Sequence, residues 1–257
     1  MPASVDLNCD MGESYGRHKL GYDEDVIKYI TSANIACGFH AGDPAVIRAT
    51  VVLAGENGVG IGAHPSLPDM QGFGRRRMEL SPTEIHDMVI YQVGALKTFA
   101  EAYGYRLQHV KPHGALSHMS VEDRAVAAAI AESVWKVDRK LILLGVAGTS
   151  LYDAAVERGL PAASEYFADR NYTPEGTLVP RSSPQAMVED EDLALERAIR
   201  VVKTGEVEAV DGSIIKMKVD SICLHGDALT AVAFARLIRE GLQKEGVSIK
   251  PLAHFIQ

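Results

Sequence analysis

The sequence predicts an α/β barrel, in which parallel strands alternate with helices and close on themselves. Apolar runs of strand length alternate with stretches of helix length along the 257 residues, as is typical of βαβ units in a parallel sheet. Seven such units leave roughly 37 residues for each, which suits a barrel with one strand fewer than the eight-stranded type. Because no linker or change of composition interrupts the pattern, we expect residues 1–257 to form a single domain. An open, doubly wound sheet is the alternative.

The predicted strands are short apolar runs bounded by polar or glycine-containing stretches. They lie at Val5–Cys9, Ala33–Phe39, Gly58–Ala63, Leu107–Val110, Leu141–Gly145, Ala162–Phe167 and Ser221–Leu224, and the run Val247–Leu252 closes the chain. Asp211 and Gly212 stand between alternating residues, a pattern that predicts an antiparallel hairpin within Glu206–Lys218.

The predicted helices fill the intervals between these runs, and two of them have recognisable N-terminal signals. Asp43 precedes Pro44 in the order of an N-cap and a first helical residue. Ser81 and Glu84 have the spacing of a capping box, and Pro82 stands at the first helical position. The helices are expected at Asp23–Ile30, Asp43–Asn57, Ser81–Tyr103, Val121–Val137, Thr149–Arg158, Glu191–Thr204 and Ala228–Glu245.

The composition excludes several classes of partner. Lys and Arg number 26 against 34 Asp and Glu, so the net charge is −8, which argues against binding nucleic acid or an anionic membrane surface. No run of 18 apolar residues is present, and the first residues lack a signal-peptide pattern, so we expect neither a membrane span nor export. Cys9, Cys37 and Cys223 are too few and too widely spaced for a disulfide framework, as suits a cytoplasmic protein.

Common nucleotide-binding and hydrolase motifs are missing. The chain contains no P-loop, no dinucleotide-binding glycine motif, no nucleophile elbow and no zinc-protease motif. A nucleotide, if one binds, is therefore not held by a P-loop.

Polar residues follow the predicted strands, where parallel α/β folds place their functional sites. The candidates, in chain order, are Asp6, Asn8, Asp10, Glu13, Asn34, His40, Asp43, His64, Lys111, His113, Glu165, Arg170, His225 and Asp227. Four of the nine histidines lie at such ends, each followed within two residues by Gly or Pro. The sequence therefore predicts one polar mouth built from several strands.

The first strand carries polar side chains along one whole face. Asp6, Asn8 and Asp10 share that face because side chains alternate along a strand. For Asp6 and Asn8 the two interpretations are a hydrogen-bonded polar layer inside the barrel or the wall of a cavity. Asp10 is nearest to the following loop and is the stronger functional candidate.

The remaining candidates each have a structural alternative. Asp43 and Asp227 follow Gly before a predicted helix, as either a helix cap or part of an anion site. The histidines suit metal ligands, general bases or phosphate contacts, and otherwise are satisfied core residues. Lys111 suits an anion ligand, whereas the run Arg75–Arg77 is either a solvated loop or a phosphate clamp.

Eight stretches of this sequence, in order, closely resemble the LamB/YcsF family. They are VDLNCDMGES (5–14), NIACGFHAGDP (34–44), GAHPSLPD (62–69), FGRR (73–76), KPHGAL (111–116), EYFADRNY (165–172), LVPR (178–181) and ICLHGD (222–227). The resemblance implies a TIM-like, seven-stranded barrel of the glycoside hydrolase/deacetylase type. It also implies cleavage of 5-oxo-L-proline to L-glutamate coupled to ATP hydrolysis, with partner subunits B and C.

For such an enzyme we predict Asp10 and Glu13 as acid–base or Mg²⁺-site residues, and His40, His64 and His113 as proton carriers or metal ligands. Lys111 is a further catalytic candidate that would hold an anionic group. The predicted contacts to substrate or phosphate are Asp6, Asn8, Asn34, Asp43, Glu165, Arg170, His225 and Asp227.

Two other functions remain open from the sequence. The first is a metal-dependent deacetylase or amidohydrolase acting alone, with Asp10, His40 and His64 around one divalent ion. The second is a non-catalytic subunit that binds the substrate while another subunit performs the chemistry. Each is compatible with a homo-oligomer.

Overall fold

A computed structural model of the chain describes residues 3–224 and 229–256. Its strands are β1 (Ser4–Met11), β2 (Ser32–Ala36), β3 (Gly60–His64), β4 (Leu107–Val110), β5 (Ile142–Gly145), β6 (Ala162–Phe167), β7 (Glu206–Glu208), β8 (Ile214–Lys216), β9 (Ser221–Leu224) and β10 (Ser248–Ile249). Strands β1 to β6 and β9 pair in parallel in that order, and β9 pairs back to β1. The predicted seven-stranded α/β barrel is confirmed, and the open-sheet alternative is wrong.

Helices surround this barrel. They are α1 (Asp23–Val26), α2 (Pro44–Glu56), α3 (Pro82–Ala102), α4 (Gly114–Glu122), α5 (Arg124–Val137), α6 (Ser150–Arg158), α7 (Glu191–Thr204) and α8 (Leu229–Lys244). The Asp43 carboxylate accepts from the backbone N–H groups of Ala45 and Val46 and so caps α2. Ser81 and Glu84 form the predicted capping box of α3. The predicted hairpin is confirmed as the antiparallel pair β7–β8.

Several predicted boundaries are wrong. The single helix expected at Val121–Val137 is two helices, because Asp123 is extended and its side chain caps α5 at the N–H of Ala125. Helix α4, which precedes it, was missed. The second strand ends at Ala36 instead of Phe39, since the chain turns at Gly38, whose φ is +91° and favours glycine.

The two faces of β1 explain how the barrel is filled. Leu7, Cys9 and Met11 are fully buried within the hydrophobic core outside the sheet. Asp6 and Asn8 bond to side chains of neighbouring strands inside the barrel and are also fully buried. The alternation predicted from the sequence therefore gives β1 an apolar face outside the barrel and a polar face inside it.

Strand β4 contains a β-bulge where it pairs with β3. Ile61 is opposite Leu107 and Gly62 is opposite His109, so Gln108 is an extra residue in the ladder. Bulges redirect side chains in this way. The His109 ring lies over Gly62, where a Cβ would overlap it. The glycine of β3 therefore makes room for a buried histidine.

The C-terminal residues lie at the opposite end of the barrel from the predicted mouth. Leu252 packs against Ile142, Leu144 and Ala163, and the backbone N–H of Ala253 donates to Gln108 Oε1 over 3.1 Å. A groove of about 870 Å³ at this end holds none of the predicted site residues. Within the described ranges, no helix combines the length and apolarity that a membrane span needs.

Candidate active site

A buried lysine lies at the centre of the strand ends. Lys111 directly follows β4, and its Nζ lies 3.2 Å from Asp10 Oδ1, 2.7 Å from Glu165 Oε1 and 3.1 Å from Asn8 Oδ1. It also donates to Cys223 Sγ at 3.2 Å. Strands β1, β4, β6 and β9 thus converge on one ammonium group.

The charges of this group stabilise one another. Burial opposes ionisation of Asp10, but the adjacent His64 and Lys111 hold the pKa of its carboxyl well below the usual range. Burial likewise opposes the charge on Lys111, yet Asp10, Cys223 and Glu165 raise its pKa well above normal. Asp10 is consequently an ionised carboxylate at neutral pH, and it exposes 15% of its side chain.

Two histidines bring ring nitrogens together beside Asp10. His64 Nδ1 lies 2.6 Å from the Lys111 carbonyl, and His113 Nε2 lies 2.9 Å from the Phe73 carbonyl. A carbonyl only accepts, so those two nitrogens carry the ring protons. His64 Nε2 then faces His113 Nδ1 at 3.0 Å and Asp10 Oδ2 at 3.2 Å. A proton on His64 Nε2 or a bound cation would satisfy both neighbours of that nitrogen.

A third histidine is stacked on this pair. The rings of His40 and His113 are 4.0 Å apart and nearly parallel. His40 is fully buried, and among the described residues neither of its ring nitrogens has a hydrogen-bond partner. Burial, with His113 and His64 nearby, holds its pKa well below the usual range, so the ring is neutral. Its Nε2 lies 3.9 Å from Glu13 Oε1.

These contacts define a histidine cluster, namely Glu13, His40, His64 and His113, in which one ligand atom of each residue lies within 4.8 Å of the others. Imidazole nitrogens and a carboxylate oxygen are the donors that divalent transition metals prefer. Asp10, which we grouped with His40 and His64 as a metal ligand, contacts the cluster at its edge, where its Oδ2 lies 3.2 Å from His64 Nε2.

The loop after β3 covers the histidine cluster. The Phe73 ring packs edge-on against His40 and His113, with centroids 5.5 and 5.2 Å apart. Phe73 has φ +57°, a left-handed conformation that is costly for a bulky residue. This backbone aims its carbonyl at His113, and Arg75 lies over the outer face of its ring at 5.1 Å.

Three of the predicted contacts lie elsewhere in the described structure. Asp6 is inside the barrel, bonded to hydroxyl groups only. The Asp43 carboxylate is taken up by the cap of α2 and by the N–H of Gly16. Arg170 is buried and donates to the carbonyls of Val179 and Ala186. Their contacts in the structure are with the protein itself, and their role as substrate contacts stays a prediction. His225 and Asp227 lie outside the described residues.

Sequence reasoning missed two residues that the site uses. Phe73 orients His113, and His109 donates from Nε2 toward Asn34 Oδ1 at 2.8 Å. His109 stands two residues before Lys111, so strand alternation could have placed both on one face. Nothing in the sequence pattern marks the carbonyl of Phe73.

Comparison with known proteins identifies relatives over nearly the whole chain. The family model described as "LamB/YcsF family" matches residues 5–257. A Bacillus subtilis protein that is named as the A subunit of 5-oxoprolinase is 51% identical over 97% of each chain. The crystal structure of a "Lactam Utilization Protein" from Thermus thermophilus is 44% identical, covers 96% of this chain and 99% of its own, and has a TM-score of 0.92.

A more distant structure shares the fold alone. The catalytic domain of a peptidoglycan N-acetylglucosamine deacetylase from Eubacterium rectale superposes with a TM-score of 0.52 at 10% identity, over 98% of this chain and 89% of its own.

Proposed function

The chain belongs to the LamB/YcsF family, and from that membership and its strand-end site we propose that it is the A subunit of a 5-oxoprolinase. The proposed reaction opens the lactam of 5-oxo-L-proline to give L-glutamate, coupled to hydrolysis of ATP to ADP and phosphate. The observation that carries the proposal is the ionised Asp10 held between Lys111 and His64, in a chain 51% identical to a protein named for this activity.

The chemistry asks for activation of a poor electrophile. A five-membered lactam is a resonance-stabilised amide, which water attacks slowly. Transfer of the γ-phosphoryl group of ATP to the amide oxygen, with ADP as the leaving group, would make the ring carbon electrophilic. Attack of water on that carbon, followed by cleavage of the ring C–N bond with a proton to the departing nitrogen, would give γ-glutamyl phosphate, which a second water hydrolyses to glutamate and phosphate. Such a reaction needs a positioned base, cations near the phosphoryl oxygens and donors for the substrate carboxylate.

The residues present fit those roles. Asp10 is ionised and partly exposed, so we assign it as the base that takes a proton from the attacking water. Lys111 keeps its charge, and its ammonium balances negative charge that develops beside Asp10. Arg75 forms no ion pair within the described chain and stands on Phe73 above the site. It is therefore our candidate for the phosphate contact, in place of Arg170.

The histidine cluster suits a divalent metal ion. His40 is a buried ring with two unpartnered nitrogens among the residues described, and His64 and His113 already give their ring protons to backbone carbonyls, as metal-binding histidines do. We propose that Glu13, His40, His64 and His113 hold the ion. When bound, such an ion would polarise an oxygen of the substrate or lower the pKa of a bound water.

We propose partner subunits B and C, because the family relative is named as one subunit of an enzyme. We place the complex in the cytoplasm, where the three buried cysteines remain the free thiols seen here.

Reconstitution tests the proposal. The purified chain is mixed with subunits B and C, 5-oxoproline and ATP, and glutamate and ADP are measured. We expect both products in equal amounts, and neither above background when the chain is left out. Asp10→Asn abolishes glutamate formation, whereas Asp25→Asn, at an exposed position on α1, does not. Equal glutamate with and without the chain would refute the assignment.

The histidine cluster also supports a second candidate, a metal-dependent amidohydrolase that acts alone. This function predicts turnover of an N-acetylated sugar or a simple amide by the isolated, metal-loaded chain without ATP. Turnover only with ATP and both partners excludes it. A non-catalytic role predicts instead that Asp10→Asn leaves the reconstituted rate unchanged.

A further inference from the structure

The polar interior of the barrel is a single hydrogen-bonded network centred on Asp6. Oδ1 of Asp6 lies 2.7 Å from the hydroxyl groups of both Thr31 and Ser32, and Oδ2 lies 2.5 Å from the hydroxyl of Ser221. All four residues are buried. Burial raises the pKa of Asp6 to about 6, against the lowering effect of the three hydroxyls, so at neutral pH the group is mainly a carboxylate.

Each hydroxyl oxygen also accepts a hydrogen bond from an N–H group, and this fixes the direction in which the hydroxyl's own proton points. Thr31 Oγ1 accepts from the backbone N–H of Leu7 at 2.8 Å. Ser32 Oγ accepts from Gln108 Nε2 at 3.0 Å, and Ser221 Oγ accepts from Asn8 Nδ2 at 2.7 Å. Because each hydroxyl has one proton, it gives that proton to Asp6. Two amide side chains are thereby held with their nitrogens toward Asp6.

The orientation of the Asn8 amide determines which of its atoms faces Lys111 in the active site. With Nδ2 on Ser221, its Oδ1 points the other way and accepts from Lys111 Nζ at 3.1 Å and from Asn34 Nδ2 at 2.7 Å. A rotated Asn8 would present an amide N–H₂ to an ammonium and to another amide N–H₂. Donors facing donors inside the barrel are costly.

A second chain of hydrogen bonds, which runs from Asp6 through Ser32 and Gln108, also ends at Asp10. Gln108 Nε2 also reaches His109 Nδ1 at 3.1 Å, and His109 donates from Nε2 to Asn34 Oδ1. Burial, the largest effect, lowers the pKa of His109 to about 3, so the ring is neutral with one proton. Asn34 then donates to Asp10 Oδ1 at 2.9 Å as well as to Asn8. Both chains of hydrogen bonds run from Asp6 to the Asp10–Lys111 pair.

We propose that Asp6 is a positioning residue of the active site, which orients the amide of Asn8 through Ser221 and so holds the Lys111 ammonium against Asp10. Asp6 touches no group in the mouth, so it acts only through these side chains. The kinetic part of this inference rests on the proposed function, whereas the orientation of Asn8 does not.

Substitution of Asp6 by Asn makes the argument testable. Thr31 and Ser32 still donate to Oδ1, so the new Nδ2 faces Ser221. That hydroxyl then meets two N–H₂ groups, and its own proton has no acceptor unless Asn8 turns over. The turn places Asn8 Nδ2 against Lys111, which moves the ammonium away.

The experiment compares Asp6→Asn, Ser221→Ala and Thr31→Val. Thr31 is the matched control because its hydroxyl also donates to Asp6 but receives only a backbone N–H, so it leads to neither amide. In the reconstituted enzyme, we expect Asp6→Asn and Ser221→Ala to lower kcat by about tenfold or more, as the loss of a supporting hydrogen bond does. The KM for 5-oxoproline stays within about threefold, and Thr31→Val keeps kcat within about threefold.

A double substitution exchanges the carboxylate and the amide between positions 6 and 8. It is expected to restore part of the activity that Asp6→Asn loses. In Asp6→Asn/Asn8→Asp, the new amide donates to Ser221, and Ser221 donates to the carboxylate at position 8, whose other oxygen accepts from Lys111 and Asn34. The donors and acceptors match again from position 6 through Ser221 to Lys111, so the double variant should have a higher kcat than Asp6→Asn.

Crystal structures of Asp6→Asn and Thr31→Val provide a readout without activity. We expect a displaced Lys111 ammonium in the first and an unchanged one in the second. An unmoved lysine in Asp6→Asn, or equal losses of kcat in Thr31→Val and Ser221→Ala, would overturn the inference. An inactive wild-type mixture would instead count against the proposed function and leave the structural comparison intact.

Discussion

His64 and His113 face each other through two ring nitrogens, with Nε2 of His64 3.0 Å from Nδ1 of His113. The other nitrogen of each ring donates a hydrogen bond to a backbone carbonyl. Two lone pairs at this distance repel unless a cation or an additional proton lies between them, and Asp10 Oδ2 adds a third acceptor. Either a shared proton or a bound cation satisfies this arrangement, and the second of these is the metal site proposed above.

Metal binding is the first prediction. We expect the purified chain to bind Co²⁺ at about one ion per chain, with the visible absorption of a nitrogen-rich site. His40→Ala and His113→Ala should each weaken binding by about tenfold or more, because a ligand is lost. His18→Ala, on an exposed loop, should bind as the wild type does. Titration with spectroscopic detection gives the stoichiometry, and a featureless titration argues against the site.

The second prediction concerns Asp10. Asp10→Asn should lower turnover in the reconstituted enzyme by at least about 100-fold, because the base is removed. It should also destabilise the fold by about 3 kcal/mol, since Lys111 loses one partner of a buried charge group. Urea unfolding measures the stability change. Full stability with lost turnover would show that Lys111 needs only Glu165 as its counter-ion.

Asp6 makes the stability depend on pH. Its pKa is raised from 3.8 in the unfolded reference to about 6 in the folded chain, so between these values the folded state holds a proton that the unfolded state releases. The free energy of unfolding attributable to Asp6 therefore falls as pH rises through this window, by on the order of 2–3 kcal/mol.

The measurement is the difference in unfolding free energy between the wild type and Asp6→Asn from pH 4 to pH 7, in which most other groups cancel. We expect the difference to shift against the wild type as pH rises. A constant difference would mean that Asp6 titrates normally.

A pair of glycines tests the packing around His109. Gly62→Ala places a Cβ within the His109 ring and should destabilise the chain by roughly 2 kcal/mol or more, because neither the strand nor the buried ring can yield. Gly94, in α3, has open space where its Cβ would be. Gly94→Ala should instead stabilise by about 0.5–1 kcal/mol. Thermal unfolding distinguishes the two, and equal effects would contradict the packing described here.

The last prediction separates the two interpretations of Asp43. As a helix cap, Asp43→Ala should cost about 1–2 kcal/mol of stability and leave the KM values for 5-oxoproline and ATP within about twofold. A KM raised tenfold or more at unchanged stability would restore the anion-binding interpretation. Kinetics of the reconstituted enzyme and urea unfolding together decide the outcome.

Much of this structure could be predicted from the sequence, because it follows from the local pattern of residues. Strand alternation in β1 places Asp6, Asn8 and Asp10 on one face, and the parallel pairing of β3 to β6 brings His64, Lys111 and Glu165 to one end. The break between α4 and α5 was missed because Asp123 reads as an ordinary helix residue until its side chain is seen to cap Ala125.

The orientation of individual side chains could not be predicted from the sequence. Arg170 follows a strand, as a ligand would, but its guanidinium points to two carbonyls of its own loop. The bulge at Gln108 breaks the alternation that would have predicted which side chains of β4 enter the barrel. The exact partners of His113 depend on the positive φ of Phe73, a conformation that its residue type disfavours.

The pairing of β1 with β9 has a consequence for biosynthesis. Asp6 lies opposite Ser221 and Asn8 opposite Cys223, so the strand made first closes the barrel only with one made more than 200 residues later. During synthesis, Asp6 and Asn8 lack the Ser221 hydroxyl that bonds to both of them in the finished barrel. Such distant pairing folds slowly, and the emerging first strand has an unpaired edge. We therefore expect nascent chains shorter than about 224 residues to depend on chaperones.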